Sequence, residues 1–270
     1  MRILFITTRL PHARVASGHV IVHQRIKRLA ERGHEIGLAV FDDPGSSQHI
    51  EDVRSMVREL VVVPRPPPHS YLRGAFDMAT SSIPPYFLNF RSEEMMRRVG
   101  EMAERARYHV AIAEFSAMGQ YLYRNRYLSA VRKIISCHYS IATSYRKVAD
   151  LMRYSARGIR SRVSLGGLLR YEVDMYRSAD SVLVLTAQER FVLQRYDPHL
   201  RVNVIPCGVD TRYFRPAKDG TEECLLFTGH YESEPNRDAV LWFADRVWPI
   251  VKKQRPMLKF FVVGPGVVPE

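Results

Sequence analysis

Four short stretches carry residues whose types and positions could do chemistry. Ser17-Gly18 stands between the apolar run Arg2–Thr7 and a helical pattern. A helix N-terminus there would offer unpaired N–H groups, and glycine would let an anion approach the backbone closely. Glu114 follows the apolar run Val110–Ala113, where its carboxylate either binds hydroxyls or caps the next helix. His138, in Cys137-His138-Tyr139, follows Lys133–Ser136 and either donates to a hydroxyl or phosphate or serves only structure. Cys137 reads as packing, since no base partner is specified. The last stretch runs from Gly229 and His230 to Arg237. It reads as a phosphate cradle before a helix, or as a plain loop with Asn236 as N-cap.

These residues matter only if the chain places them on one edge of a sheet, and its punctuation predicts this. Apolar runs at Arg2–Thr7, Glu35–Phe41, Leu60–Val63, Val110–Ala113, Lys133–Ser136, Ser181–Leu185 and Val202–Ile205 read as strands. Helical patterns lie between them. One opens at Ser17-Gly18, sets Val22, Ile26, Leu29 and Ala30 on one face, and ends at Gly33. Another is capped by Ser92, carries Glu93 and Glu94 in its first turn, and buries Met95, Val99, Met102 and Ala106. Thr186 to Glu189 forms a capping box. Residues 64 to 85, with six prolines, read as an insertion. After Pro216 and Gly220 the alternation restarts, with strands Cys224–Thr228 and Lys259–Val263 around a helix over Asn236–Val247. That helix is expected to bury Val240, Leu241, Ala244, Val247 and Trp248, and Pro249 to kink or restart it. Continuous apolar strands alternating with helices mean a parallel sheet covered on both faces, with ligands at the strands' carboxyl ends. GxGxxG is absent, and Gly264-Pro265-Gly266 does not replace it.

With 46% apolar residues in 270, a core is assured. Three separated cysteines, with no CxxC pair and no metal-ligand spacing, suit a reducing compartment and buried thiols. The N-terminal apolar run is too short for a signal peptide, and no segment is long enough for a membrane span. Net charge is +12, with eleven Arg/Lys and the single acid Asp150 between Arg124 and Arg170. Such a tract is a solvated basic surface, an anionic-membrane surface or a nucleic-acid surface. Nucleic acid is the least expected, since no recognition motif accompanies the charge.

Ala179–Thr186, Val204–Asp210 with Phe214 and Pro216, and Leu225–Gly229 with Pro235-Asn236 and Trp242-Phe243 occur together and in order. The combination resembles retaining glycosyltransferases of family 4, which have the GT-B fold, and in particular sugar transferases of exopolysaccharide clusters. The resemblance implies an α/β chain with a complete N-terminal Rossmann-like domain at 1–205. A hinge at 206–220, with Gly208 and Asp210, and the first β-α-β of a second Rossmann-like domain at 221–270 follow. It implies a nucleoside diphosphate sugar donor, a lipid-linked or glycan hydroxyl acceptor, no metal and no other cofactor. Ser17 and Gly18 match a loop facing the donor phosphates and acceptor, and His138 a histidine near the reacting sugar. His230 and Arg237 stand roughly where many members hold the donor diphosphate with an Arg and a Lys. The family's paired glutamates, an E-x7-E arrangement, would lie beyond Glu270. The expectation is therefore a fragment, inactive alone, whose residues 224–270 expose apolar surface. The alternatives are a non-catalytic module binding an acceptor, membrane or partner subunit, and, on charge alone, a nucleic-acid-binding protein. The expected location is cytoplasmic, at the inner face of the membrane, with the basic tract docking to anionic lipid.

Overall fold

The computed structural model describes residues 1–13, 18–45, 47–67, 82–216 and 223–266. Ser17, much of the proline-rich stretch and part of the expected hinge lie outside the described residues. Close contacts divide the chain into Met1–Gly208 and Val209–Glu270.

The first unit is a seven-stranded, wholly parallel sheet. Its strands are β1 Arg2–Thr7, β2 Glu35–Phe41, β3 Glu59–Val63, β4 Val110–Glu114, β5 Arg132–Ser136, β6 Ser181–Val184 and β7 Val202–Val204, in spatial order β3-β2-β1-β4-β5-β6-β7. Among the described residues its α-helices are α1 His19–Glu31, α2 Ile50–Arg54, α3 Pro85–Leu88, α4 Glu93–Ala106, α5 Ile141–Leu151, α6 Ala156–Arg177 and α7 Ala187–Tyr196. The pleat sends Ile3 and Phe5 into a core with Val22 and Ile26 of α1, and Leu4 and Ile6 into a second core with Met95, Val99 and Met102 of α4. Both faces are buried, which is why the strands read as unbroken apolar runs. The expected caps hold: Ser92 Oγ accepts from the Met95 amide and Thr186 Oγ1 from the Glu189 amide. Gly33, at φ +79°, turns the chain after α1.

Sequence periodicity did not announce α5 and α6. On α6 the core-facing positions include Gly158, Ser161 and Glu172 as well as Leu168 and Tyr176. Polar and small residues inside erase the apolar stripe on which a 3.6-residue period depends. The two helices form an antiparallel hairpin, stapled where Arg162 donates to the Ala149 carbonyl.

In the second unit, β8 Cys224–Thr228 and β9 Lys259–Val263 pair in parallel. They are joined through α8 Glu234–Trp242, a π-turn Phe243–Val247 and α9 Trp248–Gln254. Pro249 sits in the first turn of α9, where its missing N–H costs nothing. Phe243 and Trp248 pack on Phe260, covering one face of the pair, while Leu226, Phe261 and Val263 on the other face are exposed. Two burial expectations fail: Leu241, a 100° step along α8 from buried Val240, and Ala244, in the π-turn that breaks the single 3.6-residue face, are exposed. Cys137 is buried, but Cys207 and Cys224 are exposed, contrary to expectation, because they lie on the connection after β7 and at the open edge of the small sheet.

A Cβ on Gly158 would stand 2.0 Å from the Met152 carbonyl oxygen, a backbone atom that cannot swing aside. The helix-propensity gain of about 1 kcal/mol is smaller than this overlap costs. Gly158→Ala should therefore lower stability by about 1–3 kcal/mol, read as a lower melting midpoint. An unchanged midpoint would mean that the hairpin turn does not need glycine.

Candidate functional site

In an open parallel sheet, the strand order reverses where connections leave to opposite sides, and a crevice opens there. Here that point lies between β1 and β4. The residues at its carboxyl edge converge on one buried carboxylate. Glu114, the last residue of β4, has no exposed surface. Its Oε1 accepts from Arg25 Nη1 at 2.5 Å and its Oε2 pairs with His138 Nε2 at 2.9 Å. Arg25, on α1, also donates to Ser136 Oγ at 2.9 Å.

Burial alone would raise the Glu114 carboxyl. The His138 hydrogen bond, the Arg25 charge and Ser136 outweigh it, and the group is held below its ordinary value. An ionised Glu114 only accepts, so Nε2 of His138 donates to it, and in the one neutral tautomer that makes this contact Nδ1 is the acceptor. That Nδ1 faces α1: a Cβ on Gly18 would lie 3.0 Å from it. Gly18 occupies the N-cap position of α1, with no side-chain cap and no acid in the first turn. Among the described residues no acidic side chain stands in this first turn, so its positive end suits an anion.

Phe115, next in chain, has φ +69° and ψ 143°, a conformation costing a non-glycine residue about 1–3 kcal/mol. It sets the ring between two histidines, stacked on His138 at 4.2 Å and tilted on His19 at 4.4 Å. His19 Nε2 bonds Thr8 Oγ1 at 2.8 Å. Burial, then the charge of Arg9, push the His19 pKa down to about 3, so it stays neutral. Thr7 Oγ1, at the end of β1, is buried with no hydrogen-bond partner among the described residues.

The N-terminus of α5, just past His138, is by contrast already occupied. Glu172 of α6 accepts from the Ile141 and Ala142 amides, Ser140 Oγ and Tyr176 Oη. Cys137 lies in this network, its Sγ 3.0 Å from Tyr176 Oη, and burial raises its thiol to about 12. It is a packed thiol and not a nucleophile.

The structure thus brings together Gly18, Glu114 and His138. Glu114 is not the helix cap that its position also allowed, because the chain turns sharply at Phe115 and both carboxylate oxygens are taken. Arg25 escaped the sequence reading, while Thr7 and Phe115 lay inside stretches it singled out, from Thr7 to Gly18 and from Glu114 to Ser116, without a role of their own. The one available signal was Arg25 itself, a charge inside the stripe Val22, Ile26, Leu29. In the second unit, Gly229 and His230 follow β8, and Asn236 Nδ2 donates to the His230 carbonyl at 3.2 Å. The helix begins at Glu234, so Asn236 is not its N-cap, and Arg237 stands exposed in its first turn and not before it. Gly264, at φ +148°, lets the end of β9 meet Gly229, whose carbonyl oxygen would be 1.7 Å from an added Cβ. His230 Nε2 lies 3.8 Å from Glu232 Oε2. Gly208 ends the first unit, and just after it the Asp210 carboxylate accepts from the Arg212 amide at 3.0 Å.

Glu114→Gln leaves Arg25 without its counter-charge. The cost should be about 3 kcal/mol, the low end for a buried pair because 17% of the Arg25 side chain remains exposed. The folded pKa of Glu114 is lowered, so its contribution is complete above the ordinary 4.5 and is lost as pH falls through the lowered value. The melting midpoint of the variant should start lower at neutral pH and fall less steeply into acid. Parallel acid limbs would contradict the ion pair.

The family model described as Glycosyltransferase Family 4 matches residues 18–213. A relative described as "Uncharacterized 44.6 kDa protein in cps region" of Klebsiella pneumoniae is 21% identical, across 97% of this chain and 64% of its own length. Sucrose-phosphate synthase from Thermosynechococcus elongatus superposes with a TM-score of 0.65 at 14% identity, over 98% of this chain and 62% of that one. Anabaena HepE in complex with UDP-glucose superposes with a TM-score of 0.58 at 12% identity, over 100% and 62%. The likeness is to the GT-B fold of glycosyltransferases. The chain spans less than two thirds of the length of each of these three proteins.

Proposed function

The chain belongs to glycosyltransferase family 4, and on that premise we propose that it serves the transfer of a sugar from a nucleoside diphosphate sugar to a hydroxyl acceptor, with retention at the anomeric carbon. The product would be an exopolysaccharide or cell-envelope glycan, a reading that the cps-region relative supports. The HepE complex with UDP-glucose supports a nucleotide-sugar donor.

One observation supports the reading: His138, held by ionised Glu114, stands beside Gly18 at the N-terminus of α1, at the sheet's switch point. Each part has a role in the chemistry. His138 contacts the reacting sugar through the ring nitrogen that Glu114 leaves as acceptor. Glu114 has no oxygen left for substrate, so it orients the imidazole and fixes its tautomer. Gly18, with Ser17 before it, lets phosphate or sugar oxygens approach the α1 N-terminus. As the glycosidic bond breaks, negative charge grows on the departing diphosphate, and positive dipoles and side chains aimed there lower the barrier. Arg237, in the first turn of α8, supplies that charge in this proposal, and His230, in the loop before it, a ring N–H, with Gly229 giving close access. Gly208 and Asp210 stand where one unit passes to the other and would serve as the hinge. No metal is assigned a part, so a chelator should leave turnover unchanged.

Turnover should be measured as nucleoside diphosphate release from a donor panel that includes UDP-glucose, with hydroxyl acceptors. His138→Ala should cut turnover about a hundredfold or more in a protein that still folds, with a lower melting midpoint because Glu114 loses a buried hydrogen bond. Turnover like wild type would remove His138 from the site. Product NMR should show the donor's anomeric configuration, and an inverted product would reject retention.

A further inference from the structure

We propose that the tip of the α5–α6 hairpin docks on a bilayer surface containing anionic lipid. At 100° per residue, Ala156, Ile159, Arg160, Val163 and Gly167 of α6 fall in an arc of about 100°. The buried residues Gly158, Ser161 and Leu168 lie on the opposite side, toward the core. Ile159 and Val163 therefore point straight away from the protein, and they are 55% and 67% exposed. Before them, Leu151 and Tyr154 at the turn are 86% and 85% exposed. Scattered exposed aliphatics are ordinary, but four large apolar residues on one hairpin tip are not.

The charges around them select the occupant. Lys147, Arg153 and Arg157 flank the apolar residues, and between Arg124 and Arg170 the only acid is Asp150. The Arg153 guanidinium lies over the Tyr154 ring at 4.5 Å, pairing a cation with an amphipathic aromatic. A lipid interface matches this mixture: side chains such as Ile159 enter the acyl boundary while basic heads stay at phosphate level. Nucleic acid would reward the charge but not the aliphatics. Among the described residues no helix is long and apolar enough to cross a membrane, so the contact would be superficial.

Placement gives the surface a use. Glu172 binds the first amides of α5, just past His138. Fourteen residues of α6, about 21 Å of helix, separate it from Gly158. The hairpin thus carries its tip well beyond the point where β5 hands over to α5, on the edge of the sheet that holds His138. A bilayer docked there would present a lipid-borne hydroxyl on the side of the candidate site. The docking itself does not rest on the transfer reaction, and its test needs no turnover.

The 270-residue chain should be sedimented with phosphatidylcholine vesicles and with vesicles of phosphatidylcholine and phosphatidylglycerol, at low and high salt. Binding is expected to the mixed vesicles only, weakening with salt. The double variant Ile159→Asp/Val163→Asp should bind about tenfold or more weakly with an unchanged melting midpoint, because both side chains are exposed. Arg153→Gln/Arg157→Gln should weaken binding and flatten its salt dependence. Absence of binding to mixed vesicles, or undiminished binding by the aspartate variant, would overturn the proposal. So would a wild-type dimer that the aspartate variant breaks without losing vesicle binding, or tighter binding to random duplex DNA that the same variant abolishes.

Discussion

A carboxylate with no exposed surface is tolerated only when its charge is answered, and at Glu114 the answer comes from three residues on two segments far apart in the chain. Arg25 arrives on α1, His138 on the loop after β5, and Ser136, at the end of β5, steadies Arg25. One ionic contact thus ties the helix after β1 to the two strands beyond it, at the place where an open parallel sheet can hold a ligand. The backbone strain at Phe115 belongs to the same constraint. Both the direction of the Glu114 side chain and the stack of Phe115 on His138 depend on that turn.

Glu172 makes the comparison instructive. It is as deeply buried as Glu114, yet burial prevails and its carboxyl is raised, where that of Glu114 is lowered. The difference lies in the partners. Glu172 accepts from neutral amides and hydroxyls, which recover part of the lost solvation, while Glu114 faces a guanidinium and an imidazole. The two carboxylates divide the work accordingly. Glu172 fills the helix N-terminus next to the site and holds the loop that carries His138. Glu114 sets the orientation of the imidazole, whose other ring nitrogen faces Gly18 at the start of α1.

The two units differ in how they use their strands. In the larger one, helices on both faces bury every other side chain in each direction, so its seven strands need no polar face. In the smaller one, Leu225, Phe227, Phe260 and Val262 are covered, while their alternating neighbours are exposed. The pleat is the same, but helical cover lies on one side only.

The sequence by itself determined the parallel α/β architecture. Continuous apolar runs, the Ser92 and Thr186 caps and Gly33 are local signals, and local periodicity records burial on both faces faithfully. It also placed Gly18, Glu114, His138 and the Gly229 loop at strand ends. Only the tertiary structure decided which of these meet. Glu114 and His138 are 24 residues apart and Glu114 and Arg25 are 89 apart. No periodicity reaches so far, so a carboxylate that could cap a helix became the anchor of a histidine. The α5–α6 hairpin was hidden for the complementary reason. Its inner face carries Gly158, Ser161 and Glu172 and its outer face Ile159 and Val163, so the polarity expected of a surface helix is partly reversed. Which side faces the core is settled by the hydrogen bonds of Glu172 and Arg162, contacts that exist only once the chain has folded.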